Sequence, residues 1–337
     1  MKRRHQIMLG LAGAAGLALG ARALLRRSRR IELGGRVIIV TGASSGLGLL
    51  IARHAAEQGA KLVLTARSED DLAAAAEELR PLGAEVLAVP TDLTDEAQVQ
   101  VLVARTLERF GRVDILVNNV GTIRVGPAQA MTVEDFQQVM DTNFWGQLYP
   151  TLAVLPAMRA QGFGRIANVV SVGGKVAVPH LLPYTASKFA LAGLTEGLRA
   201  ELARDGILVT GIYPGTIRTG GHAHAWFKGN RDAEYTWFAL SDTVPGVSTS
   251  ADYAARSLWK AVQDGDPEVI VGWNARLAIL AHDFFPEWNA EAMSLINLAL
   301  PRGEVSDGPA VQGQDLGGTV PEALTGIIPP GTRPSMA

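Results

Sequence analysis

The sequence predicts an α/β protein: a single doubly wound, mostly parallel sheet with helices on both faces, preceded by an N-terminal hydrophobic helix. Three observations lead there. From Arg36 to Tyr213, six short apolar runs alternate with longer stretches of helical periodicity. The first run, Val37-Ile38-Ile39-Val40, is apolar on both faces, as a strand buried between two helical layers must be. Between that run and the next helical stretch lies a glycine-rich turn, Thr41 to Gly48, where open sheets of this kind bind nucleotides.

Taken in order, the first strand is followed by a helix from Gly46 to about Gln58, a strand over Lys61 to Thr65 and an Ala/Glu-rich helix from Asp70 to Arg80. A third strand covers Val86 to Val89, a helix runs from Asp95 to Phe110, and a fourth strand covers Asp114 to Val117. One long helix is expected over Thr132 to Met158, then a strand at Arg165 to Val170, a helix from Tyr184 to Arg204 and a strand at Ile207 to Tyr213. A helix near Ala251 to Gln263 and a strand at Glu268 to Val271 close the sheet. Residues 216–245 carry Trp226, Phe227, Tyr235, Trp237 and Phe238, readable either as core packing of a short helix pair or as a lid over an apolar substrate. Leu277 to Leu300 is a second apolar helical region broken at Pro286; padding of the cleft, a subunit contact and a membrane contact are all open for it.

The chain therefore divides into residues 1–30, a body of alternating strands and helices at 31–300, and a Pro/Gly-rich tail at 301–337 expected to be disordered. Residues 7–25 are apolar and flanked by basic residues on both sides, so a membrane anchor is expected there, with the body facing the cytoplasm. A cleaved export signal, a surface-lying segment and a soluble cytoplasmic enzyme are the alternatives. A net charge of −2 with no basic stripe argues against a nucleic-acid partner. The absence of cysteine removes disulfides and thiolate chemistry. Six histidines are scattered, and the close pair His222 and His224 has no third ligand grouped with it, so no metal site is expected.

Two local patterns carry chemistry. Glycines in Thr41-Gly42-Ala43-Ser44-Ser45-Gly46-Leu47-Gly48 permit a tight turn and close approach of a pyrophosphate to a helix N-terminus, although the spacing is not G-x-G-x-x-G. After the second strand, Ala66 stands where a carboxylate would hold a ribose, and Arg67 follows. An arginine there can grip a 2′-phosphate, or merely pair with Glu69 or Asp70 at the surface. The second pattern is Tyr184 and Lys188, four residues apart on one helical face, with Ser171 thirteen residues upstream of Tyr184. A phenol titrates near pH ~10, and a neighbouring ammonium favours the phenolate; bringing it to the range of a general acid/base asks for about 3–4 kcal/mol. Taken alone, the pair equally describes a tyrosine that starts a helix beside a solvated lysine.

Together these motifs resemble the short-chain dehydrogenase/reductase family over about residues 33–275. The resemblance implies a Rossmann-type fold and assigns roles residue by residue. Gly42, Ser44, Gly46, Leu47 and Gly48 would line the nucleotide turn, and Asp92 and Leu93 of Thr91-Asp92-Leu93-Thr94 would meet the adenine. Asn119 of Asn118-Asn119-Val120-Gly121 would line the cofactor, with Val120 replacing the usual alanine. Pro214, Ile217 and Thr219 would meet the nicotinamide, and Tyr184 and Lys188 its ribose. Asn143, Ser171, Tyr184 and Lys188 match the catalytic set, with Asn143 holding a water in the proton relay. Arg67 points to NADP rather than NAD, although Ser45 stands where many NADP-dependent members carry a basic residue. The activity implied is interconversion of an alcohol and a carbonyl on a small apolar substrate, in a dimer or tetramer. A catalytically silent nucleotide-binding scaffold is the reading from another class.

Overall fold

A computed structural model describes residues 16, 20–243, 248–302 and 308–316. Seven parallel strands form the main sheet: β1 (Val37–Thr41), β2 (Lys61–Thr65), β3 (Val86–Ala88), β4 (Ile115–Asn118), β6 (Gly164–Val169), β7 (Ile207–Pro214) and β11 (Glu268–Val271). Their spatial order is β11-β7-β6-β4-β1-β2-β3, so the order reverses between β1 and β4. That reversal opens a crevice at the carboxyl ends of the two strands, the position where open α/β sheets take ligands.

The period-two geometry of β1 explains why its run is apolar throughout. Ile38 and Val40 face one core, with Leu49 and Ile51 of α2 (Gly46–Ala56), Leu72 of α3 (Glu69–Leu79) and Leu258 and Trp259 of α10 (Ala251–Asp264). Val37 and Ile39 face the other, with Val99 and Leu102 of α4 (Glu96–Phe110), Val154 and Met158 of α6 (Gly146–Gln161) and Leu202 of α7 (Leu182–Leu202). The indole N–H of fully buried Trp259 donates to the Ile51 carbonyl at 2.9 Å and fastens α10 to α2.

The helix expected over Thr132 to Met158 is three elements. Thr132 closes a capping box with Asp135 and starts α5 (Val133–Met140), a π-helical turn occupies Asp141–Trp145, and α6 follows. The helix carrying Tyr184 begins two residues earlier than expected, because Pro183 fits the first turn, where its missing N–H has no intrahelical partner anyway. The break at Pro286 lies where it was expected, between α11 (Trp273–Phe284) and α12 (Pro286–Ala299). On this hairpin Leu277, Phe284, Trp288 and Leu295 are exposed, and α12 buries none of its residues.

Residues 216–243 fold as β8 (Ile217–Arg218), α8 (Gly221–His224), β9 (Trp226–Phe227) and α9 (Arg231–Thr243). Here β9 pairs with β5 (Arg124–Val125) and with β12 (Val311–Gln312), giving a small second sheet absent from the sequence reading. Residues 308–316, expected to belong to a structureless tail, thus supply a strand, and Leu316 packs on the aromatic cluster of Phe227 and Tyr235. The remainder of that tail, 303–307 and 317–337, lies outside the described residues.

The expected membrane-spanning helix is not found. No helix among the described residues is long and apolar enough to cross a membrane, and 1–15 and 17–19, on which most of that expectation falls, lie outside them. What is described is a basic helix, α1, over residues 20–29, which docks on the body. Arg26 pairs with Asp266, the Arg29 carbonyl accepts from the Arg165 guanidinium at 2.6 Å, and the Ile31 N–H donates to the Gln263 carbonyl at 3.0 Å.

Replacing Trp259 by alanine opens a cavity between α2 and α10 and is expected to lower stability by about 3–5 kcal/mol in urea unfolding. Trp259→Phe, which keeps most of the volume but leaves the Ile51 carbonyl unmatched, is expected to cost about 1–2 kcal/mol in the same assay.

Candidate active site

The nucleotide turn is built at the carboxyl end of β1 and closed by the end of β4. Gly42 and Gly46 have φ of 62° and 56°, a left-handed backbone that residues with a β-carbon adopt at a penalty. At Gly48 the constraint is space: a β-carbon there would lie 2.0 Å from the Gly42 carbonyl oxygen. The Thr41 hydroxyl accepts from the Asn119 N–H at 2.9 Å, and the Asn119 amide donates back to the Thr41 and Gly42 carbonyls at 3.2 and 3.3 Å. Asn119 therefore holds the turn in shape and stays partly exposed beside it. Ser44 and Leu47 are partly exposed along the same turn, and the Thr219 side chain lies about one van der Waals contact from Gly46, at 4.0 Å from an added β-carbon.

The other expected cofactor residues surround this crevice. Arg67 follows β2, is exposed, and makes no ion pair with Glu69 or Asp70. Asp92 lies beyond β3; one carboxylate oxygen accepts from the Thr94 N–H and hydroxyl at 2.9 and 2.8 Å, which shapes the turn and leaves the second oxygen unused. Leu93 is buried beneath Gly146. Pro214 ends β7, and Ile217 and Thr219 continue along the rim through β8. Steep turns, an exposed cation and backbone within reach of a helix N-terminus fit a dinucleotide.

Tyr184 and Lys188 project together from the first turns of α7. Lys188 is buried, its ammonium donates to the Val169 carbonyl at 2.9 Å, and its nitrogen is 5.7 Å from the centre of the Tyr184 ring. Ser171 follows β6, its hydroxyl accepting from the Gly173 N–H at 3.0 Å and lying near enough to the Tyr184 phenol to bear on its titration. Two glycines the sequence reading passed over make this approach feasible. A β-carbon on Gly173 would sit 3.1 Å from the Tyr184 ring, and one on Gly174 would sit 2.7 Å from the Lys188 carbonyl oxygen.

The electrostatics correct one expectation. Burial pushes the Tyr184 phenol up, against a smaller opposing effect of the Ser171 hydroxyl, so the net shift is upward rather than downward. The same desolvation brings the Lys188 ammonium down to about 7. Each charged form is penalised by the dry surroundings. Only formed together, phenolate beside ammonium, do the two charges compensate one another.

Asn143 lies in the π turn, a local widening often found at functional sites. Its side-chain oxygen accepts from the Thr122 N–H at 2.7 Å, and its amide donates to the Thr122 carbonyl at 3.0 Å and the Ser187 hydroxyl at 2.9 Å. The side chain thus braces the chain after β4 against the helix bearing Tyr184. Neighbouring polar groups continue the bracing: Asn118 donates to Thr151 and Asn168, and Asn168 to Thr195, each at 2.9 Å.

One cluster was not legible beforehand. His180, four residues before Tyr184, is buried and bonds through Nδ1 to Glu234 of α9 at 2.7 Å. The second oxygen of Glu234 accepts from the Trp237 indole at 2.6 Å. Burial holds the Glu234 carboxyl above its ordinary range, against the lowering effect of these two bonds. A lone histidine and a lone glutamate in unrelated segments give no sequence signal of their pairing.

A model of the short chain dehydrogenase family matches residues 36–228. The chain belongs to that family. A dehydrogenase/reductase SDR family protein 7-like of Anopheles gambiae is 40% identical over 262 residues, covering 76% of this chain and 81% of that one. Among solved structures, a gluconate 5-dehydrogenase from Burkholderia cenocepacia in complex with NADP and tartrate superposes with a TM-score of 0.65 at 30% identity, covering 74% of this chain and 98% of that one. An actinorhodin polyketide ketoreductase variant with NADPH gives 0.62 at 31% identity, covering 71% and 95%. As a short-chain dehydrogenase, the chain is an oxidoreductase with a nicotinamide-nucleotide site and a small-molecule substrate.

Because the folded protein holds Lys188 near 7 and the unfolded chain near ~10.5, the unfolded state binds the extra proton between those values, and stability rises with pH across that window. Thermal unfolding from pH 6 to 10 is expected to show the wild type gaining on Lys188→Met as pH increases. Parallel curves for the two proteins would contradict the buried-ammonium account.

Proposed function

We propose that the protein is an NADP(H)-dependent oxidoreductase that interconverts an alcohol and a carbonyl on an apolar substrate, with Tyr184 as the general acid/base. The observation that carries this is the grouping of the Ser171 hydroxyl, the Tyr184 phenol and the Lys188 ammonium beside the glycine turn. When bound, the nicotinamide supplies or accepts the hydride at the reacting carbon. The Ser171 hydroxyl orients the substrate oxygen. In the reducing direction the Tyr184 O–H gives its proton to that oxygen, and the phenolate left behind is stabilised by Lys188. Running backwards, the same groups take the hydroxyl proton. Asn143 acts by fixing Thr122 and Ser187, and with them the position of α7.

Arg67 supports the 2′-phosphorylated cofactor, since a guanidinium with no partner among the described residues is free for charge-assisted bonds. Support for an apolar substrate comes from the cluster of Val125, Leu181, Phe227 and Tyr235, against which Tyr184, Trp237 and Phe238 pack. It builds a hydrophobic wall next to the phenol and favours an aliphatic or alicyclic ketone over a sugar.

Tyr184→Phe is expected to lower kcat for ketone reduction at least a hundredfold, about the contribution of a positioned proton donor, while NADPH still binds by fluorescence titration. Loss of binding together with turnover would indicate a folding defect, and unchanged turnover would favour the silent scaffold. Arg67→Ala is expected to weaken NADPH by roughly tenfold or more, from a lost hydrogen bond to a charged group of about 1.5–3 kcal/mol, and to leave NADH nearly untouched. Equal effects on both nucleotides would remove the case for NADP.

A further inference from the structure

The aromatic wall accounts for one side of the substrate space. Close by is a cleft of ≈ 630 Å³, lined by the β5–α5 connection, the residues before α7, the start of α9 and the face of α12. His180 and Glu234 both line it, and Gln129, Asn230, Asn297 and Arg302 contribute further polar groups. This lining is unlike the hydrocarbon surface around Tyr184.

His180 is held here by more than packing. Its φ of 62° is left-handed, a conformation that non-glycine residues adopt at a penalty and that persists only where the surroundings impose it. The carbonyl accepts from the Gly126 N–H at 2.8 Å, and Nδ1 is engaged by Glu234. Nε2 has no protein partner among the described residues, so it is the ring's open polar atom at the cleft wall. Both His180 and Tyr184 pack on α9, His180 through Glu234 and Tyr184 through the cluster that includes Tyr235 and Ala239. α9 is thus the element shared by the cleft and the phenol.

We infer that His180, held by Glu234, is a substrate-contacting residue that hydrogen bonds through Nε2 to an oxygen acceptor remote from the reacting carbonyl. The inference rests on the reading of Tyr184 as proton donor to that carbonyl, and it narrows the substrate class. The preferred substrate is a two-oxygen molecule: a ketone reduced at Tyr184, a hydrocarbon middle against Phe227 and Phe238, and a second carbonyl or carboxylate in the cleft. Donor character at Nε2 follows from the pair itself. Burial holds the Glu234 carboxyl above its ordinary range, and a carboxyl that keeps its proton donates it to Nδ1, which places the ring's own hydrogen on Nε2. Arg302 is the other charged group on the cleft wall and acts in the same direction, toward an acceptor.

The test compares two aliphatic ketones of equal length, one carrying a terminal carboxylate and one a terminal methyl, using the full chain with NADPH. The wild type is expected to favour the carboxylated ketone at least tenfold in kcat/KM, chiefly through KM. His180→Leu is expected to collapse that ratio toward one. His180→Asn, which tolerates the left-handed backbone but is too short to span from Glu234 to the cleft, is expected to do the same with less effect on folding. A ratio near one in the wild type, or a ratio that survives both variants, overturns the inference while ketone reduction itself stands. No turnover of either ketone by wild type overturns the underlying reading and the inference with it.

Discussion

A buried ammonium next to a phenol is the arrangement on which the rest of this structure depends. Lys188 gains one bond from the Val169 carbonyl, and its other protons face a space bounded by the ring of Tyr184 and the backbone of Gly121. Holding a lysine there requires that α7 lie almost on top of the chain leaving β6. Gly173 and Gly174 permit that approach, and Pro183 sets where the helix starts. The site is thus made by removing side chains as much as by adding them. A methyl group at Gly173 would press on the Tyr184 ring, and one at Gly174 on the Lys188 backbone.

The same economy governs the cofactor side. Thr41, Gly42 and Asn119 form one bonded unit, so the crevice at the strand reversal is shaped by protein contacts. This preorganisation is what allows a flexible dinucleotide to be bound with its reactive ring in a fixed place. The polar ladder from Thr151 through Asn118 and Asn168 to Thr195 ties the helices on one face to the strands, and so carries the rigidity of the sheet into the site.

How much of this could be read from the chain depends on how local each signal is. The main strands were legible because a strand covered on both faces must be apolar at every position, as Val37 to Val40 and Leu62 to Leu64 are. Tyr184, Lys188 and the glycine turn were legible because four residues on a helix, or eight in a turn, contain the whole pattern. The small sheet was not, since two-residue strands such as Trp226–Phe227 have no periodicity to detect. The π turn was hidden because Asp141–Trp145 continues the helical pattern on either side. His180 and Glu234 lie 54 residues apart, and only the folded chain brings them together. The direction of the Tyr184 shift was misjudged because a sequence shows the neighbouring charge and not the dryness around it.

The docking of α1 has a consequence for what counts as the working unit of this protein. Arg165 is buried beside Arg29, Arg36 and Arg199, and this crowd of like charges together with desolvation brings its guanidinium down to about 10. The partner that receives one of its protons is the Arg29 main-chain oxygen, and Asp266 answers Arg26 from the same surface. A chain shortened to begin at Arg36, where the nucleotide fold starts, would strip an acceptor from a crowded cation and leave an acidic group without its counter-charge. The basic leader is therefore part of the floor beneath β6 and β7, whatever else it does further upstream.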